Sequence, residues 1–216
     1  DYNDLITTRW AMSPVELPLT VVGPPGTQGF TDANLAMLTT DIGYRRAHHH
    51  DLAWDPTVQV SEVHDGVAWT SPDGSVKGIA APTDHRPVDP TVGYRTEAAG
   101  AAGVLAGDTV PCEGLDRLCA GADVYVQTVI RPDMVKALPF ARIQDILDYH
   151  SSVAQAAQTA ARAGVRTLVL NHPVPAPLPG TEGEWIAQAA EHFSGEILLA
   201  HDLLSVEAAG PRDGSP

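Results

Sequence analysis

Apolar residues along this chain fall into short runs separated by proline, glycine and acidic residues, and the spacing within each run sets the expected element. Pro18 to Val22 reads as a short buried strand, closed by Gly23-Pro24-Pro25-Gly26, which cannot continue it. Thr31 or Asp32 is placed to cap a helix in which Leu35, Leu38 and Ile42 recur at helical spacing and Gly43 ends the pattern. Two further strands are expected at Val58 to Val63 and Val76 to Ala80, joined by the loop Ser71-Pro72-Asp73-Gly74.

The second half is more regular. Gly103 to Ala106, Ala122 to Val126, Thr167 to Leu170 and Glu196 to Ala200 read as strands, with helical patterns between most of them, which predicts a layered α/β domain. Gly114 to Ala120 has the pattern of a short helix between Cys112 and Cys119. Ser152 followed by Gln155 forms a capping box, and Val153, Ala156, Ala157, Ala160 and Ala161 then make one narrow apolar face ending at Gly164. The segment from Ala208 to Pro216 has no apolar periodicity and reads as a flexible tail, which leaves one domain over residues 1–207.

Composition narrows the function classes. With 216 residues, 44% of them hydrophobic, the chain has apolar material for one sizeable core. No apolar run approaches the ~20 residues that cross a bilayer. The start Asp1-Tyr2-Asn3-Asp4 has neither the basic nor the apolar region of a secretory signal, so a cytoplasmic location is the simplest expectation. Two lone cysteines match no zinc-finger spacing and suit a reducing compartment. The formal charge of −14, from 27 acids against 13 bases, opposes long-range approach to a polyanion, and no basic run offsets it.

Among nine histidines, the informative ones stand just beyond the end of an expected strand. His85 and His172 do so, as does the carboxylate of Asp108; strand ends of an α/β sheet gather loops into a ligand crevice. Imidazole and carboxylate are what zinc takes in catalytic sites. On spacing alone a loop histidine is more often solvated than a ligand, and Gly107-Asp108-Thr109 is equally readable as a turn. His150 precedes the capped helix, whose positive end disfavours imidazolium unless a carboxylate offsets it. The contiguous His48-His49-His50 cannot all face one way in regular structure, so surface exposure is expected there.

Five motifs in order carry a resemblance: Gly23-Pro24-Pro25-Gly26-Thr27; Asp84-His85-Arg86-Pro87 running to Gly93-Tyr94-Arg95; Gly107-Asp108-Thr109-Val110-Pro111-Cys112; His150-Ser151-Ser152; and Asn171-His172. Together, over Asp4 to about Val206, they resemble the ribonuclease Z-like branch of the metallo-β-lactamase-fold hydrolases. The resemblance implies an αββα sandwich, with His85 a ligand of a first zinc, Asp108 bridging two zincs, His172 a ligand of the second, and His150 a proton donor at the scissile phosphate. It further implies a metal-bridging hydroxide as nucleophile, a homodimer, and zinc, with manganese or iron also accepted by such ligands.

Two departures from the family pattern shape the expected substrate. The family's His-x-His-x-Asp-His motif, which supplies four further ligands, belongs just before a stretch such as Asp4 to Trp10, so the N-terminal part of the fold is expected to be missing here and the chain alone to bind metal weakly. Gln127-Thr128 stands where ribonuclease Z proper has histidine and glutamate, and no glycine-rich basic tRNA-gripping arm is evident between Thr27 and Ser61. With the acidic charge, these features put hydrolysis of a small phosphodiester or related ester first and tRNA 3′ processing second. Arylsulfatase-like or lactonase-like hydrolysis and a metal-free binding protein follow.

Overall fold

The computed structural model describes residues 1–208 and divides into two compact units, Asp1–Val63 and a second from His64 onward. The first unit runs α1 (Tyr2–Met12), β1 (Leu19–Gly23), α2 (Thr27–His48) and β2 (Val58–Glu62), with β1 and β2 paired in parallel. The helix expected to start near Thr31 and stop at Gly43 is longer at both ends. Gly26 opens it from the left-handed region at φ 101°, a conformation glycine adopts without steric cost, and Gly43 lies inside it. The Glu62 carboxylate accepts the amides of Gly26 and Gln28 at 3.0 and 2.9 Å, which satisfies donors that the helix start would otherwise leave open. His48, His49 and His50 are exposed at its far end, as expected from their contiguity.

In the second unit, β3 (Gly66–Thr70), β4 (Val76–Pro82), β5 (Val92–Ala98), β6 (Ala101–Leu105), β7 (Val124–Ile130), β8 (Thr167–Val174) and β9 (Glu196–Leu199) form one sheet in chain order. Pairing is antiparallel from β3 to β6 and parallel from β6 to β9. The loop Ser71–Gly74 therefore closes a β3–β4 hairpin and does not join the strands read at Val58 and Val76. The mixed, half-polar β3 carries no long apolar signal to separate it from a turn. The layered α/β class is the one expected from the alternation in the second half.

Alternation decides which face is covered. Val104, Tyr125, Val129, Leu168 and Leu170 point to one face and are at most 1% exposed. Helices α3 (Glu113–Cys119), α6 (Val153–Ala163) and α7 (Glu182–Ala190) supply Leu115, Leu118, Val153, Ala156, Ala157, Ala160 and Trp185 to the same core. Fully burying the valine and leucine side chains among these stabilises the fold by ~1.5–3 kcal/mol each. In α6 the capping box is present, with Ser152 Oγ accepting the Gln155 amide and the Gln155 side chain accepting the Ser152 amide, and Gly164 ends the helix at φ 67°. Ala161, expected on the apolar face, is exposed, and Thr159 is the buried residue instead. Gly114 lets α3 lie on the end of β4: a Cβ there would collide with the Pro82 carbonyl. Cys112 and Cys119 are free thiols, the latter buried and its pKa pushed up to about 12 by desolvation. Most of the expected tail, residues 209–216, lies outside the described residues. No helix among the described residues is long and apolar enough to cross a membrane.

Candidate metal centre

Because β4, β6, β7 and β8 run in the same direction, their C-terminal ends meet one edge of the sheet. His85 follows β4, Asp108 follows β6 and His172 sits near the end of β8. His150 lies between β7 and the start of α6, held there by a bridge between Ile130 and Ser152. Long sequence separations thus close onto one place.

Asp108 is at the centre. Its Oδ2 lies 3.9 Å from His85 Nε2 and 3.6 Å from His150 Nε2, and its Oδ1 lies 4.0 Å from His172 Nδ1. Among the described residues, the ligand atoms of His85, Asp108 and His150 all fall within 4.8 Å of one another. His172 reaches the opposite carboxylate oxygen from a backbone in the left-handed region, at φ 43°, which turns its side chain back toward the edge.

The second ring nitrogens fix the tautomers. His85 Nδ1 is 2.8 Å from the Tyr149 carbonyl and His150 Nδ1 is 3.1 Å from the Ile146 carbonyl. A carbonyl only accepts, so both Nδ1 atoms carry hydrogen and both Nε2 atoms face Asp108. The neutral rings would present lone pairs to a carboxylate, an arrangement that a cation or a proton between them relieves. This is the donor set, and the backbone-held imidazole geometry, that a divalent metal takes.

Electrostatics agree with that placement. His150 facing it, with further help from the Thr128 hydroxyl and His85, holds the Asp108 carboxyl down to about 2 against the opposing effect of burial. The Asp108 carboxylate in turn raises the His150 pKa above its ordinary value, with the Ile146 carbonyl adding to it. The helix-end argument alone points the other way; the nearby carboxylate decides the sign.

Three residues to which spacing assigned no role bind the site loops together. The buried Thr109 Oγ1 accepts the Asp84 amide at 3.0 Å and shares its hydrogen between the Asp84 and Val110 carbonyls at 3.1 and 2.8 Å. Ser151 Oγ donates to the Thr109 carbonyl at 2.7 Å. Gln127, fully buried, accepts from the Tyr125 hydroxyl at 2.6 Å and donates to the Gly107 carbonyl at 3.2 Å. It thus braces the turn before Asp108, where the family pattern has a histidine. The signal available in the sequence was adjacency: each hydroxyl stands next to a candidate ligand.

A family model described as the Beta-lactamase superfamily domain matches residues 4–172. The ribonuclease Z of Mycobacterium avium (strain 104) is 53% identical over 213 residues, which is 98% of this chain and 75% of that protein. The chain belongs to the β-lactamase superfamily, in its ribonuclease Z branch. A putative ribonuclease Z of Mycobacterium tuberculosis (strain CDC 1551 / Oshkosh) is 51% identical over 211 residues, 96% of this chain and 92% of that protein. Human tRNase Z, short form, shares the fold, with a TM-score of 0.62 and 18% identity over 95% of this chain and 73% of that one. As a member of this superfamily the chain is a metal-dependent hydrolase, as the motif order implied.

Proposed function

We propose that the chain acts in tRNA 3′ processing, cutting a precursor tRNA beyond its body, rather than on the small esters that its acidic charge and altered motif put first. The observation that carries this reading is identity of 51–53% with proteins named ribonuclease Z over nearly the whole chain. Net charge is a property of the entire surface, whereas phosphate contacts are local. Arg86, next in sequence to His85, pairs with Asp84 at 3.8 Å but keeps its side chain 81% exposed, and would meet a phosphate at this edge.

Asp108, with His85 and His172 to either side of its carboxylate, would hold the divalent metal. Such ions, when bound, supply Lewis-acid charge and lower the pKa of water. Zinc suits imidazole and carboxylate ligands, and manganese or iron are accepted by the same set. His150, whose Nδ1 donates to the Ile146 carbonyl and whose Nε2 faces Asp108 at 3.6 Å, would give a proton to a departing 3′ oxygen.

The test uses a precursor tRNA with a 3′ trailer, incubated with the chain and added zinc or manganese. Expected is one cut after the discriminator base, lost in Asp108→Ala and His172→Ala together with bound metal measured by elemental analysis. Hydrolysis of bis-p-nitrophenyl phosphate with the precursor left intact would favour the small-ester reading. Turnover unchanged in both variants would remove the metal centre from the mechanism.

A further inference from the structure

Between β7 and His150 the chain runs out through α4 (Pro132–Ala137), α5 (Ala141–Gln144) and a 3-10 turn over Asp145–Asp148. The end of that excursion is fastened to the metal centre. His150 Nδ1 donates to the Ile146 carbonyl at 3.1 Å and His85 Nδ1 to the Tyr149 carbonyl at 2.8 Å. Phe140 stands six residues before Ile146, so the chain holds it within ~22 Å of that anchor, and closer because α5 coils the residues between. Phe140 is 61% exposed, although Leu138 and Ile143 on either side of it are half-buried. The turn that presents it is closed on itself. The Gln144 side chain donates to the Leu138 carbonyl at 3.0 Å, and the amides of Ile143 and Gln144 donate to the Phe140 carbonyl at 3.0 and 3.3 Å. The outward ring thus rests on a braced turn.

Charge marks the same segment. Elsewhere most arginines are tied to carboxylates, as in Arg45–Asp41, Arg117–Asp65 and Arg162–Asp116. Lys136 and Arg142, four residues before Phe140 and two after it, are exposed and stand in no ion pair among the described residues. Asp133 is taken by Arg131 at 2.6 Å, and over residues 131–148 three bases balance three acids, Asp145 and Asp148 included, in a chain of net charge −14. An exposed aromatic ring between two available cations suits unpaired nucleotides, because every base offers a π-face and the neighbouring phosphates meet the cations. In a duplex the base faces are already stacked, so the matching ligand is single-stranded. We propose that Phe140, with Lys136 and Arg142, binds single-stranded RNA beside the metal centre, stacking one base of the 3′ trailer of a precursor tRNA. The identity of that strand as a trailer rests on the function proposed above, whereas the single-strand site does not.

The test reads binding, without added metal so that nothing is cut. The probe is a short oligouridine carrying one 2-aminopurine, whose fluorescence is quenched on stacking. The unsubstituted chain should bind and quench it. Phe140→Ala should weaken binding roughly tenfold and lose the quenching. Phe140→Trp should keep both, and Phe140→Leu, apolar but without a π-face, should behave as Phe140→Ala. Replacing Lys136 and Arg142 together by alanine should lower the log–log salt slope by about 1.4, the share of two single-strand phosphates. Absence of binding by the unsubstituted chain, or equal binding by Phe140→Ala or Phe140→Leu, would overturn the proposal. Cleavage of precursor tRNA is scored separately. A chain that binds and quenches the probe but leaves the precursor intact keeps this site and loses the tRNA reading; one that cuts the precursor while Phe140→Ala binds the probe undiminished does the reverse.

Discussion

At Thr109 one buried hydroxyl links the loop that carries His85, through Asp84, to the loop that carries Asp108, and its own carbonyl receives Ser151 beside His150. Thr109→Val keeps the volume and removes that bonding, leaving the Asp84 amide without its partner; a loss of ~1–3 kcal/mol is expected for a buried unsatisfied group. Thr109→Ser restores the hydroxyl and should recover most of it, as judged by urea unfolding. That His85, Asp108, His150 and His172 converge was legible from their places beside strand and helix ends and from the motif order. The bracing roles of Thr109, Ser151 and Gln127 were not, since a hydroxyl or amide in a loop looks the same whether it binds water or a neighbouring loop. The raised pKa of His150 was also beyond reach, because it depends on Asp108 arriving at 3.6 Å from a distant part of the chain.

Among elements, α6 was read from sequence because its information is local: Ser152 and Gln155 at one end, Gly164 at the other, small apolar residues between. Ser152→Ala removes the cap acceptor and should cost about 1 kcal/mol. In a calorimetric scan that is a fall in Tm of roughly 2–4 °C for a chain of this size. Since His150 stands two residues before this cap, the same variant should slow cleavage while Gln155→Glu, which keeps the acceptor, does not. Strand β3 and the full extent of α2 escaped the pattern for opposite reasons. The first has few apolar residues to repeat, and the second turns so little of itself inward that burial leaves no stripe for periodicity to find.

For the whole molecule, a net charge of −14 together with the RNA substrate proposed above predicts a specific salt response. Cleavage of precursor tRNA should fall with added salt by a shallow log–log slope, because few phosphates are neutralised, and Arg86→Ala should flatten it further by roughly one contact's worth. Initial rates across a salt series measure this directly, and a steep slope would point to a basic surface that the sequence does not reveal. The fold class and the gathering of strand ends were readable from the alternation of elements, whereas the switch from antiparallel to parallel pairing at β6 was not, since no residue type marks it. That switch has a practical consequence. Because β4 and β6 through β8 all arrive at one edge with their reactive residues, the turns Ser71–Gly74 and Ala99–Gly100 are left at the opposite rim, and peptide tags or fluorophores grafted there should report on the working enzyme without disturbing it.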